Sequence, residues 1–205
     1  MTKYAIVVET RRCIGCSSCS VACKLENNLP DQVWYSRVET IGGEAPNTPA
    51  GEYGNNTLDY VVVQRNHCDM PLCVAACSTG ATYKDDETGL VLQDAEKCIG
   101  CQACITACPY DVRTYINGDP IAVLDWPVGH PNAPVHLADT TEKCTMCHHR
   151  VVAGDVPACV EGCPARARFF GDLDDPESEV SKLLAEHEYE VLLPEEGTGP
   201  NVYYI

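Results

Sequence analysis

The stretch Cys98-Ile99-Gly100-Cys101-Gln102-Ala103-Cys104-Ile105-Thr106-Ala107-Cys108-Pro109 places four cysteines at the spacing C-x2-C-x2-C-x3-C, followed by proline. An earlier stretch repeats the spacing at Cys13, Cys16, Cys19 and Cys23. Three closely spaced thiolates wrap one corner of a cubane iron–sulfur cluster, and in bacterial ferredoxins the fourth cysteine ligates the other cluster of a pair. Two copies predict a protein that holds several clusters.

Two further cysteine groups are variants of this motif. One group follows C-x2-C-x11-C-x3-C before Pro164, at Cys144, Cys147, Cys159 and Cys163. The other is one ligand short and consists of Cys68, Cys73 and Cys77. Four motifs of one kind indicate a multi-cluster electron carrier.

Disulfides and zinc are the competing explanations for so many cysteines. The 15 cysteines are an odd number, and no secretory signal is evident, so a disulfide scaffold fits poorly. Zinc sites pair two C-x2-C units or add histidine ligands, whereas a third cysteine two residues further on is typical of cubane clusters. The spacing favours iron–sulfur chemistry over both.

The charge is strongly negative, with a formal net charge of −16. This charge argues against nucleic acid or an anionic lipid surface as a partner. No apolar run approaches the roughly 20 residues of a membrane-spanning helix, so no direct membrane span is predicted. Arg11-Arg12 resembles a twin-arginine export signal, but the cluster loop begins directly after it at Cys13. The chain is therefore expected to have no signal of its own.

An internal repeat organises the motifs. Cys13-Ile14-Gly15-Cys16 reappears as Cys98-Ile99-Gly100-Cys101 at an offset of 85 residues, and Cys73 and Cys77 reappear as Cys159 and Cys163 at an offset of 86. The predicted fold class is therefore α+β, built from duplicated bacterial ferredoxin-like modules, each with two [4Fe–4S] motifs, and inserted loops.

Local patterns place elements around the motifs. Residues 4–8, 58–64 and 89–93 are apolar and rich in β-branched residues, which predicts strands. Residues 19–25 and 104–108 are predicted to form short helices after the ligand loops. Asp175 and Pro176 fit the N-cap and first turn of a last helix, whose apolar positions recur up to residue 187 at helical spacing.

Two insertions and the tail complete the organisation. Residues 42–56 and 117–141 are rich in glycine, proline and asparagine and are predicted to be loops. Long loops in a small domain often form a partner surface. Trp34 and Trp126 lie near these insertions, and interior packing is their first interpretation, with partner contact the second. Residues 198–205 are expected to lie extended on a neighbour.

The four motifs in this order, with Lys143-Cys144-Thr145-Met146-Cys147 and Arg150, resemble the four-cluster iron–sulfur subunits of the dimethyl sulfoxide reductase family. So do residues 171–176 and the closing Gly197-Thr198-Gly199-Pro200 with Tyr203-Tyr204. Such subunits serve polysulfide, thiosulfate, tetrathionate and arsenate reductases, and related transhydroxylases and catechol dehydroxylases. The resemblance spans almost the whole chain but leaves the substrate open, because the catalytic partner selects it.

The resemblance implies that motif one pairs with motif four and motif two with motif three. Three [4Fe–4S] clusters would then have four thiolates each, and the fourth cluster would have three. The implied sets are Cys13, Cys16, Cys19 and Cys163; Cys23, Cys144, Cys147 and Cys159; Cys77, Cys98, Cys101 and Cys104; and Cys68, Cys73 and Cys108. The implied modules are residues 1–24 with 142–175 and residues 58–116, separated by insertions at 25–57 and 117–141 and followed by a helix and docking tail at 176–205.

The sequence departs from the family at Arg65, where a cysteine usually begins the second motif. The resemblance implies a [3Fe–4S] cluster there, or a [4Fe–4S] cluster with a ligand that is not cysteine. His67 and Asp69 are candidates for that ligand, although a hydrogen-bonding or solvent role fits them better. His148 and His149 follow a complete cysteine set and are predicted to donate hydrogen bonds or lie at the surface.

The leading functional hypothesis is an electron-transfer subunit with no catalytic residue of its own. The resemblance implies a large catalytic partner with a bis-molybdopterin guanine dinucleotide molybdenum centre, and a membrane anchor as a further partner. Co-export with that partner to the outer face of the membrane and a cytoplasmic location both stay open. The alternatives are an independent polyferredoxin, which copurification would distinguish, and a structural metal module, which reversible reduction would exclude.

Overall fold

A computed structural model describes residues 2–205 of the chain. These residues form an α+β fold of short helices and short strands. The helices are α1 (Ser18–Glu26), α2 (Leu72–Ala75), α3 (Ala103–Thr106), α4 (His148–Val151), α5 (Ala158–Glu161) and α6 (Glu179–Glu186). The strands are β1 (Tyr4–Val8), β2 (Ser36–Thr40), β3 (Ala50–Glu52), β4 (Asn55–Thr57), β5 (Tyr60–Gln64), β6 (Thr82–Lys84), β7 (Val91–Gln93), β8 (Thr114–Tyr115), β9 (Thr141–Glu142), β10 (Arg168–Asp172) and β11 (Val202–Tyr204).

The central sheet joins the two ends of the chain. Strand β1 lies in the middle, antiparallel to β10 and parallel to β11. Its residues from Ala5 to Val8 are buried on both faces, which explains the continuous apolar run. The strand predicted at residues 4–8 is therefore confirmed, and those predicted at 58–64 and 89–93 appear in shortened form as β5 and β7.

The helices bring the motifs together in pairs. Helix α1, after the first motif, contacts α5 of the fourth motif, and α2 of the second motif contacts α3 of the third. Helices α1 and α3 occur where residues 19–25 and 104–108 predicted them. The contacts leave the cysteines of two distant motifs facing each other across each helix pair.

The tail is extended, as predicted, but it lies on this chain's own sheet and not on a neighbour. Residues 202–204 form β11, which pairs with β1. Val202 is fully buried, and the backbone N–H of Asn201 donates to the carbonyl of Asn66 at 2.8 Å. Burial of Val202 and Tyr204 in the core of this chain is favourable, because it removes their apolar surface from water.

Two further boundaries need correction. The last helix begins after Ser178, whose Oγ accepts the N–H of Ser181 at 3.2 Å, and not at Asp175. Asp175 instead accepts the N–H of Glu177 in a local turn, which is the competing use of this residue type. The segment 25–57 is more than a loop, since it contains β2, β3 and β4. Strand β2 pairs with β5, although its polar residues give only a weak strand pattern.

No helix within residues 2–205 combines the length and apolar character needed to cross a membrane.

Candidate metal centre

Thiols of the first and fourth motifs line one shared cavity. Its wall includes Cys13, Cys16, Cys19 and Cys163, which together are called the Cys13 set. The loop before α1 reaches this geometry through Gly15 and Ser17, which both adopt left-handed backbone angles, with φ of 68° and 58°. A Cβ on Gly15 would lie only 2.3 Å from the Tyr60 ring, so the loop requires glycine at this point.

The Cys23 set, formed by Cys23, Cys144, Cys147 and Cys159, is the most deeply buried. Cys23, Cys147 and Cys159 are only 3–7% exposed, and Cys144 is partly buried beside them. Asn27 Nδ2 lies 3.7 Å from Cys23 Sγ and 3.9 Å from Cys147 Sγ. Burial, and then the neighbouring thiols, raise the pKa of Cys23, while burial raises the pKa of Cys147 to about 12. Such thiols ionise only when a metal compensates their charge.

The Cys77 set, which includes three cysteines of the third motif, also lines one cavity. Its wall contains Cys77, Cys98, Cys101 and Cys104 together with Thr141. Gly100 and Gln102 have left-handed φ angles of 66° and 59°, which closely match those of Gly15 and Ser17. Although burial opposes it, hydrogen bonds led by the Thr82 N–H lower the pKa of Cys77.

The three-thiol site is a third thiol-lined cavity, and it has a cationic wall. Cys68, Cys73 and Cys108 line it with Arg65, Arg113 and Lys143. Arg65 is 2% exposed, and its Nη1 donates to the Glu142 carbonyl at 2.6 Å. Its Nε and Nη2 are buried with no hydrogen-bond partner. The position of the missing cysteine therefore presents a guanidinium to the cavity, and burial lowers the pKa of Arg65 to about 10, so it remains charged at neutral pH.

The two candidate ligands beside Cys68 have other partners. His67 Nδ1 accepts the N–H of Val91 at 3.1 Å, so the proton of the neutral ring lies on Nε2, which therefore offers no lone pair to iron. Asp69 accepts from Lys3 Nζ at 2.6 Å and from Asn201 Nδ2 at 3.1 Å. Both arrangements agree with hydrogen-bonding roles, although His67 is buried and not at the solvent.

Of the two histidines that follow Cys147, His149 has partners outside the thiol sets. His149 Nε2 lies 2.9 Å from Glu26 Oε1, and its ring stacks on His130 with centroids 4.8 Å apart. His148 begins α4 immediately after the left-handed Cys147. The cysteine set at this point is complete without them.

The donor chemistry fits iron–sulfur clusters better than single ions. All 15 cysteines are free thiols. Nowhere in residues 2–205 do three His, Cys, Asp or Glu side chains converge closely enough to hold one metal ion. Thiols that surround a cavity instead of a point suit a multi-iron cluster. Backbone N–H groups also donate to sulfur, from Thr82 to Cys77, Met146 to Cys144 and Ala167 to Cys163, as second-sphere donors do around a cluster.

Three buried side chains near the thiols escaped the sequence interpretation. Arg168 Nη2 lies 3.5 Å from Cys159 Sγ. Arg113 lines the three-thiol site, and Lys143 donates to the carbonyls of Val91 and Cys144. Only Lys143 has a signal in the sequence, because it is a basic residue directly next to a predicted ligand, Cys144. Arg113 and Arg168 have no such signal.

Outside the thiol sites, an apolar groove of about 530 Å³ lies between α1 and the second insertion. Trp34 and Trp126 line it and are 48% and 62% exposed, so interior packing is not their role. Lys24 Nζ sits 4.3 Å above the Trp34 ring centroid and donates to three backbone carbonyls, of Pro30, Asp31 and Val33. The groove thus has a rigid floor and exposed aromatic walls.

Comparison with known families gives two matches. The 4Fe-4S dicluster domain matches residues 56–120 and 132–173. The 4Fe-4S binding domain matches residues 10–34. Between them the matches include all four cysteine groups.

Three curated relatives match nearly the whole chain. A dimethyl sulfoxide reductase iron-sulfur subunit of Halobacterium salinarum is 44% identical over all of this chain and 79% of its own length. The arsenate respiratory reductase iron-sulfur subunit ArrB of a Shewanella species is 39% identical over 99% of this chain and 96% of its own. A tetrathionate reductase subunit of Salmonella typhimurium is 38% identical over 99% of this chain and 72% of its own.

Proposed function

Since the chain belongs to the iron–sulfur electron-transfer subunits of the dimethyl sulfoxide reductase family, as its motifs predicted, we propose that it holds four clusters and passes electrons to or from a molybdenum catalytic subunit. When bound, such clusters supply one-electron redox chemistry. The observations that support this assignment most are that 11 of the 15 cysteines line three cavities and that the other four, Cys23, Cys144, Cys147 and Cys159, are neighbours.

The ligand sets of the proposal are those implied by the pairing of motifs one with four and two with three. The contacts of α1 with α5 and of α2 with α3 support that pairing. The matching backbone angles at Gly15 and Gly100 and at Ser17 and Gln102 support an origin by duplication of one two-motif unit. Three sites would hold [4Fe–4S] clusters, and the three-thiol site a [3Fe–4S] cluster.

The sites form a linear series in which each one adjoins the next. The Cys13 set and the Cys23 set both have ligands on α1. Lys143, in the wall of the three-thiol site, directly precedes Cys144 of the Cys23 set. Cys73 lies in the short α2 and Cys77 follows shortly after its end, so this segment connects the three-thiol site to the Cys77 set. A series of this kind suits electron transfer from the cluster at one end of the series to the cluster at the other.

The proposed catalytic partner has a bis-molybdopterin guanine dinucleotide centre, and a membrane anchor would complete the assembly. A permanent complex is supported by the apolar groove with its exposed Trp34 and Trp126, because aromatic side chains are enriched at protein interfaces. A polyferredoxin that moves freely among enzymes would expose this surface to water after each exchange. The groove therefore favours the fixed complex.

Anaerobic purification of the chain from its natural source, with metal and sulfide analysis, tests the proposal. Four clusters predict about 15 irons per chain, and a copurifying large subunit should contain molybdenum and pterin. About eight irons per chain would correspond to two clusters and contradict the four-site assignment. A lone 22.3 kDa monomer with its full iron content would contradict the permanent complex.

A further inference from the structure

Three arginines are buried inside the molecule at the places where cysteine sites adjoin. Arg65, Arg113 and Arg168 are 2%, 7% and 4% exposed. Each has at least one guanidinium nitrogen that is buried without a hydrogen-bond partner among residues 2–205. Buried polar groups normally find partners, so unpartnered donors in three separate arginines indicate acceptors that protein atoms do not provide.

Arg168 lies between the Cys13 set and the Cys23 set. It lines the cavity that contains Cys13 and Cys19, while its Nη2 lies 3.5 Å from Cys159 Sγ of the other set. Gln64 Oε1 accepts a second bond from Nη2 and fixes the side chain, and Nε and Nη1 remain unpartnered. The guanidinium thus faces two sites at once.

Arg65 occupies the corresponding place between the Cys23 set and the three-thiol site. It lines the cavity of Cys68 and Cys108, and its Nη1 donates to the carbonyl of Glu142, two residues before Cys144. The Tyr35 ring supports it on one side, with the guanidinium carbon 5.2 Å from the ring centroid. Its unpartnered Nε and Nη2 leave two N–H directions unused.

Arg113 connects the three-thiol site with the Cys77 set. It lines the first cavity, and its Nη1 donates to Thr82 Oγ1 at 3.3 Å and Gln93 Oε1 at 2.9 Å. The N–H of Thr82 donates to Cys77 Sγ at 3.3 Å. Gln93 Nε2 donates to Thr141 Oγ1, which lies 3.4 Å from Cys104 Sγ. One buried arginine is therefore present at each of the three boundaries in the series.

We propose that Arg168, Arg65 and Arg113 are positioning residues, each of which stabilises the negative charge of the two clusters on either side of it. This inference rests on the proposed function. Neighbouring thiolate-ligated clusters repel each other, and the repulsion grows when one is reduced. A fixed cation between two such groups favours the reduced state of both, and burial makes its charge more effective than it would be at the surface.

Space filling is the competing explanation, because three large side chains could simply complete the core. Two substitutions of Arg168 distinguish the effect of its charge from the effect of its shape. Both are made in the purified complex that contains its clusters. Arg168→Lys keeps the positive charge, while Arg168→Gln removes it. Arg37→Gln removes an exposed arginine on β2 and is the matched control.

The measurement is a redox titration of each cluster by electron paramagnetic resonance, together with iron content. Arg168→Gln should lower the reduction constants of two clusters, those of the Cys13 and Cys23 sets, by tenfold or more each, which is 59 mV for a one-electron couple. Arg168→Lys should shift both by clearly less, and Arg37→Gln should shift neither. A merely structural role would not move two potentials together in the direction of the lost charge.

Equal shifts in the Lys and Gln variants, or no shift beyond the control, would overturn the proposal. Loss of iron from the Gln variant alone would support it, because both variants lose the guanidinium shape and only the Gln variant loses the charge. Loss of iron from both would favour space filling and overturn it. Wild-type protein without clusters would refute the proposed function itself, so the two failures are distinguishable.

Discussion

The Cys77 set and the three-thiol site lie side by side but hold their thiols by different means. In the first, backbone and hydroxyl groups approach sulfur, as the Thr82 N–H approaches Cys77, and the pKa of Cys77 is lowered although burial opposes it. In the second, burial raises the pKa of Cys68, and buried Arg65, Arg113 and Lys143 line the cavity. The comparison teaches that a missing thiolate is accompanied by added positive charge.

The largest expected difference between the two sites concerns the loss of one thiol. Cys73 lies in α2 and Cys77 follows two residues after its end, yet they belong to different sets, so they form a matched pair. Cys73→Ser leaves two thiolates and should remove a whole cluster, about three irons per chain. Cys77→Ser leaves three thiolates and should remove about one iron. Iron analysis of the two complexes measures the difference, and equal losses would contradict the distinction between the sites.

Arg65→Cys should reverse the comparison by giving the three-thiol site its fourth thiolate. The variant should gain about one iron per chain and lose the electron paramagnetic resonance signal of a [3Fe–4S] cluster. Arg65→Lys is the control, because it keeps a cation and adds no thiol. If wild type shows no such signal and Arg65→Cys leaves iron content and spectra unchanged, a four-iron cluster with another ligand is the better description.

The cysteine motifs and apolar strands were predictable because their spacing is a direct consequence of local geometry. Gly15 and Gly100 recur at an offset of 85 residues, and the structure gives both left-handed backbones. Strand β1 was predictable for a similar reason, since a continuous apolar run fits a strand buried on both faces.

The buried arginines were not predictable, because a sequence does not show which basic side chain points inward. Arg166 and Arg168 lie two residues apart, yet only Arg168 is buried. The pairing of β11 with β1 depends on contacts between opposite ends of the chain, which no local pattern records. The sequence also does not show that Ser178, and not Asp175, caps the last helix. Both residue types cap helices, and the conformation of the surrounding turn determines which one does so.

A smaller effect is expected where the backbone itself shapes the Cys77 set. A Cβ on Gly100 would lie 2.2 Å from the Asp139 carbonyl oxygen, whereas one on Gly80 would meet nothing within 4 Å. Both have positive φ, so each alanine costs about 1 kcal/mol of left-handed strain. Overpacking should lower the free energy of unfolding of Gly100→Ala by about 1–3 kcal/mol more. Thermal unfolding of the two variants measures this difference, and equal destabilisation would show that the close approach does not matter.

The smallest expected effect tests the support behind Arg65. Glu142, whose carbonyl accepts from Arg65, also binds His136 through its carboxylate, with Nδ1 and Oε1 2.6 Å apart. Nε2 of the same ring donates to the Asn27 carbonyl at 2.8 Å. Although burial opposes it, the hydrogen bond and charge of Glu142 raise the pKa of His136 above its ordinary 6.5.

Because the folded pKa of His136 is raised, the stability that the charged ring contributes is fully present below pH 6.5 and is lost as the pH rises through the raised value. His136→Gln should therefore destabilise the protein by about 1 kcal/mol near pH 6 and by less near pH 8. Melting temperatures of wild type and variant at both pH values measure the difference. The same destabilisation at both pH values would mean that His136 supports Glu142, and through it Arg65, as a neutral ring.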